Sequence, residues 1–175
     1  MDRLARRLRA ARDPVLILGD GVRWRLDLAP VRGLLERLSL PVVSFALVRG
    51  VLGESHPFAV CGAVSRARVL AQADLVVLFG ADPDWRLRFG AEINPGASVI
   101  LVSDTTELPP TLAERGERMA ADPGLLLNRL AHAPWRVRPP RRPCPRPVSP
   151  LLMHGLPANH PLPKLPVSRS GRCSR

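Results

Sequence analysis

The chain predicts an α/β fold: an open, Rossmann-like parallel sheet with helices on both faces, followed by a disordered Pro/Arg-rich tail. Three observations carry this. VLIL, LVVLF and VILV are continuous apolar runs, the pattern of strands covered on both faces rather than one. Segments of helical period alternate with them, which implies parallel strands joined by crossovers. Glycines follow two of the runs, in LGDG and FGAD, where the chain must turn at a strand end.

Each element has its own warrant. A first helix spans 3–12, with Leu4, Leu8 and Ala11 as its inward stripe. Its Arg-rich start, RLARRLRAAR, has the amphipathic look of a transit peptide but lacks Ser, and an ordinary core-facing helix accounts for it. Strand 15–18 precedes a helix over 28–38 that aligns Leu28, Val31, Leu34, Leu35 and Leu38 on one face. Asp27 is placed to cap this helix, and Pro30 falls in its first turn, where no amide hydrogen is missed. Strand 41–45 leads into a loop through Gly50, Gly53 and His56-Pro57. Helix 65–72 feeds strand 75–79, and strand 98–102 follows the Trp85 loop. A short strand near 117–120 and a helix over 123–130, with Leu125, Leu126 and Leu130 apolar, complete the pattern.

The domain therefore spans 1–133, and 134–175 is a separate tail. The tail holds 11 of the 20 prolines and nine Lys+Arg, with no Asp or Glu. It cannot bury enough apolar surface to offset its ordering entropy. The net charge of +11 belongs largely to it, since positions 1–133 hold 17 basic and 15 acidic residues. A nucleic-acid partner would rest on the tail alone and is not expected. Non-native sequence, such as a shifted frame in a GC-rich gene, is the preferred account of the tail over a nucleic-acid-binding arm. Cys61, Cys144 and Cys173 are too few and too scattered for a disulfide framework or zinc site, which points to a reducing, cytoplasmic setting. No apolar run approaches the roughly 20 residues of a membrane helix.

Most motifs exclude chemistry. Gly19-Asp20-Gly21 fails as a dinucleotide fingerprint because Trp24 stands at the third glycine position, and strand 41–45 ends without the acid that would hold a ribose. It is either a tight turn or a place where backbone approaches a phosphate. Asp82, Asp84, Asp104 and Glu107 fall on two loops with no histidine at ligand spacing, and His56 reads as a turn residue. Trp85 and Phe89, at i and i+4, read as packing residues. Arg86 and Arg88 read as a solvated face.

The order of these pieces resembles the central domain of thiamine-diphosphate-dependent enzymes of the acetolactate synthase, oxalyl-CoA decarboxylase and 2-hydroxyacyl-CoA lyase group. The segments that carry it are RLRAARDPVLILGDGV, LLERLSLPVVSF, RGVLGESHPFAVCG, ADLVVLFGADPDWRLRFG, PGASVILVSDTTEL and MAADPGLLLNRL, covering residues 3–132. The resemblance implies a six-stranded layer set between pyrimidine- and pyrophosphate-binding domains. Those two domains hold thiamine diphosphate and Mg²⁺ in the complete enzyme. It also implies that FAD, ADP or part of CoA could be met at Gly19, Gly21, Gly80, Ala81 and Asp104. Two departures bear on this. Asp82 stands where many members carry Arg, and the acidic pair after the VILV strand is reduced to Asp104, with Val102 at the earlier position. The GDG here is not the metal motif of those enzymes, because no Asn occurs before Asn94.

The expectation is thus an isolated or truncated central domain, catalytically silent alone, with no cofactor bound by this chain. Its partners would be the missing domains, or further copies of itself in a homo-oligomer. The alternatives are a small adenine-nucleotide or CoA-binding module using the strand-end crevice, and a sirtuin-like or electron-transfer-flavoprotein-like relative. The sirtuin version lacks its CxxC zinc pairs.

Overall fold

The computed structural model describes residues 2–132. Strands β1 (Pro14–Leu18), β2 (Val42–Ser44), β3 (Ala59–Val60), β4 (Leu75–Phe79), β5 (Ser98–Val102) and β6 (Gly116–Met119) form one sheet. Their order is β3-β2-β1-β4-β5-β6, and every neighbouring pair is parallel. This is the doubly wound order in which the chain leaves the sheet centre first to one side and then to the other.

The helices are α1 (Asp2–Ala10), α2 (Leu28–Leu38), α3 (Ala63–Gln72), α4 (Pro110–Ala113) and α5 (Pro123–His132). The strand pleat divides the core into two layers. Leu16, Leu18, Val77, Phe79, Ile100 and Val102 pack with α1, α2 and α5. Their alternates Val15, Ile17, Val76, Leu78, Val99 and Leu101 pack with Val69 and Leu70 of α3 and Leu112 of α4. Both faces are covered, which is why the strands read as unbroken apolar runs. Each fully buried Val or Leu stabilises by about 1.5–3 kcal/mol relative to exposure.

Some boundaries differ from the sequence expectation, each for a local reason. Helix α1 ends at Ala10; the Ala11 N–H still donates to the Arg7 carbonyl (3.1 Å), and the two amides after it find another acceptor. The Asp74 carboxylate takes the N–H groups of Arg12 (2.7 Å) and Asp13 (3.0 Å), tying the α1–β1 corner to the entry of β4. Asp27 does not cap α2 with its side chain. Its own N–H instead donates to Asn128 Oδ1 at 2.9 Å, and Asn128 Nδ2 donates back to the Arg25 carbonyl, so the segment before α2 is clamped to α5. Leu28 and Leu125, expected on apolar faces, are exposed, while Leu127 joins Leu126 and Leu130 in the core. Strand β3 is two residues long and α4 four, too short for any periodicity to show. The tail 134–175 lies outside the described residues.

Candidate functional site: the strand-end crevice

β1 and β4 are central neighbours paired over their whole length, Pro14↔Leu75 to Leu18↔Phe79. Their chains depart to opposite sides of the sheet, so the carboxyl ends of these two strands form the switch point where open α/β sheets bind ligands. Gly19-Asp20-Gly21 and Gly80-Ala81-Asp82 meet there.

They meet too closely to leave a cradle between them. A Cβ on Gly19 would stand 2.3 Å from both Ala81 Cα and the Gly80 carbonyl oxygen. One on Gly21 would stand 2.9 Å from Gly80 Cα. Gly80 itself has φ +53°, which favours glycine, and faces Gly21 and Pro123. The three glycine amides of these turns are engaged. Gly19 N–H donates to the Phe79 carbonyl (3.0 Å), Gly21 N–H to the Gly80 carbonyl (2.9 Å) and Gly80 N–H to the Val102 carbonyl (3.0 Å). Ala81 is buried in the core layer of α3 and α4. The GDG segment forms a tight turn packed on the Gly80-Ala81 backbone.

The side chains around this join are mostly acidic. Asp20 Oδ1 accepts the Leu47 N–H at 3.0 Å. Asp82 is exposed and accepts the Thr106 hydroxyl at 2.6 Å. Asp104 is exposed beyond β5, apart from the glycine join, and its carbonyl accepts from Arg118 Nη2 at 3.1 Å. The nearby cation is Arg86, which is not a solvated face. Its guanidinium is clamped on Asp84, with Nε at 3.0 and 3.2 Å from the two oxygens and Nη2 at 2.9 Å, and it lies 4.9 Å from the Phe45 ring centroid. The hydrogen bond to Asp84 raises the Arg86 pKa above its ordinary value; partial burial opposes this, and the charges of Asp84, Asp20 and Asp82 add to it. Asp84 thus pairs with Arg86, while Asp20 and Asp82 make no salt bridge among the described residues.

Trp85 and Phe89 are not packing residues. They are 75% and 58% exposed. The i, i+4 spacing would place them together on a continuous helix, but Arg88 (φ 51°) and Phe89 (φ 54°) both take left-handed backbone and break it. Leu87 and Gly90 turn inward instead. The segment is held firmly: Asp84 caps it through the Arg86 N–H at 2.8 Å, and the Asp84 carbonyl accepts from Leu87 and Phe89. Arg115 fastens its far end through the carbonyls of Gly90 (3.3 Å) and Asn94 (2.6 Å). Sequence reasoning missed Arg115 altogether. The Asp84-x-Arg86 spacing was the available signal for the clamp.

A second concavity of about 220 Å³ lies at the ends of β2 and β3, lined by Arg49, Glu54 and Cys61 among others. Burial, then the Glu54 charge, pushes the Cys61 thiol pKa up, away from a reactive thiolate. Among the described residues, no group of three or more His, Cys, Asp or Glu could hold a metal ion, and no helix is long and apolar enough to cross a membrane.

Comparison with known proteins agrees with this architecture. Residues 1–130 match the family described as thiamine pyrophosphate enzyme, central domain. Human 2-hydroxyacyl-CoA lyase 1 is 31% identical over 139 residues, covering 75% of this chain and 24% of that protein. An acetolactate synthase large subunit of Mycobacterium tuberculosis is 32% identical over 107 residues, covering 61% of this chain and 19% of its own length. Among solved structures, the thiamine diphosphate-dependent 4-hydroxybenzoylformate decarboxylase of Rhodococcus jostii superposes with a TM-score of 0.56 at 28% identity, covering 83% of this chain and 28% of that one. The chain thus spans about a quarter or less of the length of these curated relatives.

Proposed function

The chain belongs to the thiamine pyrophosphate enzyme central-domain family, and from that premise we propose that it acts as a scaffold and subunit-contact domain, catalytically silent alone. The observation that carries this is the closed switch point. The glycine turns after β1 and β4 pack on each other and spend their amides on protein carbonyls, so the usual ligand position serves to join the two halves of the sheet. Thiamine diphosphate and Mg²⁺ would be held by pyrimidine- and pyrophosphate-binding domains on another polypeptide or elsewhere in a longer chain. The expected cytoplasmic setting belongs to the same proposal.

Purified protein supplied with thiamine diphosphate, Mg²⁺ and either a 2-hydroxyacyl-CoA or pyruvate should show no decarboxylation or carboligation above buffer. Turnover that scales with protein concentration would refute the reading. The adenine-nucleotide or CoA module is the weaker alternative, because the amides of Gly19, Gly21 and Gly80 are already in use, Ala81 is buried, and Asp82 adds a repelling charge.

The domain boundary at 133/134 is part of the proposal. Helix α5 closes the core through Leu126, Leu127 and Leu130, so nothing beyond it is needed to cover the sheet. A chain ending at Ala133 should keep the urea midpoint and slope of the full chain, with a stability on the order of 5–15 kcal/mol. A lower midpoint at unchanged slope would show that residues 134–175 pack on the domain.

A further inference from the structure

Three segments of the chain meet on one aromatic ring. Phe45 leaves β2 with its N–H on the Leu18 carbonyl (2.9 Å), and its side chain is buried in the core layer of α3 and α4. The guanidinium of Arg86, in the turn after β4, lies 4.9 Å from the ring centroid. That of Arg66, near the start of α3, lies 5.7 Å from it. Both distances are within the range of cation–ring attraction.

Each guanidinium is also fixed by a carboxylate, and both carboxylates belong to the same turn. Asp84 holds Arg86. Glu92 holds Arg66, with Arg66 Nε at 3.0 Å from Oε2 and Nη2 at 3.3 Å from Oε1, and both side chains of this pair are largely buried. The Glu92 N–H donates to the Leu87 carbonyl at 3.2 Å, which makes Glu92 part of the folded turn that carries Arg86. The turn therefore reaches Phe45 twice, directly through Arg86 and by way of α3 through Glu92 and Arg66.

Backbone strain is a second, independent observation. Ala46 (φ 36°) follows Phe45 directly, and Arg88 (φ 51°) and Phe89 (φ 54°) lie in the turn after β4. All three hold left-handed backbone without being glycine. Such residues persist only where the surrounding structure over-determines them. The Phe45 ring and its two cations connect the two strained segments.

We propose that Phe45 couples residues 45–49 and 84–92 into one cooperative unit, whose two segments open and close together because opening either one separates the ring from its cations. Partial opening is disfavoured because it would leave the Arg66–Glu92 pair, largely buried, without its full set of contacts. By linkage, a contact that holds one segment closed holds the other closed as well. The carboxyl ends of β2 and β4, which are not neighbours in the sheet, would in this way respond as one.

Amide hydrogen exchange of the full chain, read residue by residue by NMR, tests this. Val48 and Arg49 in one segment, and Leu87, Phe89 and Glu92 in the other, have hydrogen-bonded amides that report opening. In the parent chain the two groups should share one protection factor to within about threefold, with one urea dependence, and both should lie below α5. Phe45→Leu keeps a buried apolar side chain and removes the ring face. It should raise exchange about tenfold in both groups and leave α5 unchanged. Glu92→Ala touches the first segment only through Arg66 and the ring, and it too should loosen both groups. Parent protection factors that differ by more than about threefold between the groups would overturn the proposal, and that comparison needs no variant. So would a folded variant that loosens residues 84–92 while Val48 and Arg49 stay protected, or one that loosens neither. Exchange in both groups at the rate of α5 would also overturn it, since the opening would then be global.

Discussion

Alanine in place of Gly19 should cost at least about 4 kcal/mol, the range reserved for severe steric or core lesions. The new Cβ would stand 2.3 Å from backbone atoms of Gly80 and Ala81. Backbone cannot rotate away as a side chain can, so relief requires β1 and β4 to part at the sheet centre. Against a total on the order of 5–15 kcal/mol, most molecules should be unfolded or soluble only with difficulty. Gly33→Ala is the internal control. Gly33 lies inside α2, where an added Cβ meets only the end of Arg37 at 3.4 Å, and alanine there should stabilise by about 0.5–1 kcal/mol. Urea melts of the two variants should move in opposite directions. A Gly19→Ala midpoint near that of the parent would mean that the glycine join is not the tight contact described above.

Asp82→Arg should bring the second large change, in affinity rather than stability. ADP, FAD and CoA are expected to bind weakly or not at all. At about 5 Å and an effective dielectric near 20, one like-charge contact with a phosphate costs roughly 3 kcal/mol before screening. Salt at physiological strength reduces this at an exposed residue. Reversing the charge should therefore improve ADP affinity about tenfold or more, read by calorimetry, and the gain should shrink as salt is raised. The Thr106 hydroxyl would lose its partner, but it is solvent-accessible and water can replace the carboxylate. Tight binding of ADP by the unmodified chain would reverse the conclusion.

Where the sequence was legible, periodicity and burial coincided. β1, β4 and β5 were readable because both faces are covered and every residue in LVVLF is buried. The glycines after β1 and β4 were readable as turns, because only glycine allows the backbone approach found there. Asp82 was readable as a residue of the strand-end loop, and it stands exposed there. What failed depended on local geometry or on contacts between distant segments. Asp27 was a reasonable cap by residue type, but its side chain makes no capping bond, and Pro30 at the third helical position has no N–H to give it. Trp85 and Phe89 looked like packing partners because no local pattern announces two left-handed residues in succession. The departure of Arg86 from a solvated face needed Phe45, brought across from the end of β2.

The bond between Asp74 and the α1–β1 corner has a bearing on synthesis. Its partners are some sixty residues apart, and so are β1 and the strand it pairs with most fully. At roughly 5–20 residues per second, β1 would leave the ribosome some 3–12 s before β4 could follow it. For the first part of that interval β1 has no strand partner at all, and for the rest only β2, which pairs with Leu16, Ile17 and Leu18. The centre of the finished sheet is thus, for the nascent chain, an adhesive surface left open for seconds. Slowing elongation between codons 19 and 75 would lengthen that exposure, and with it the demand for chaperones that shield apolar segments.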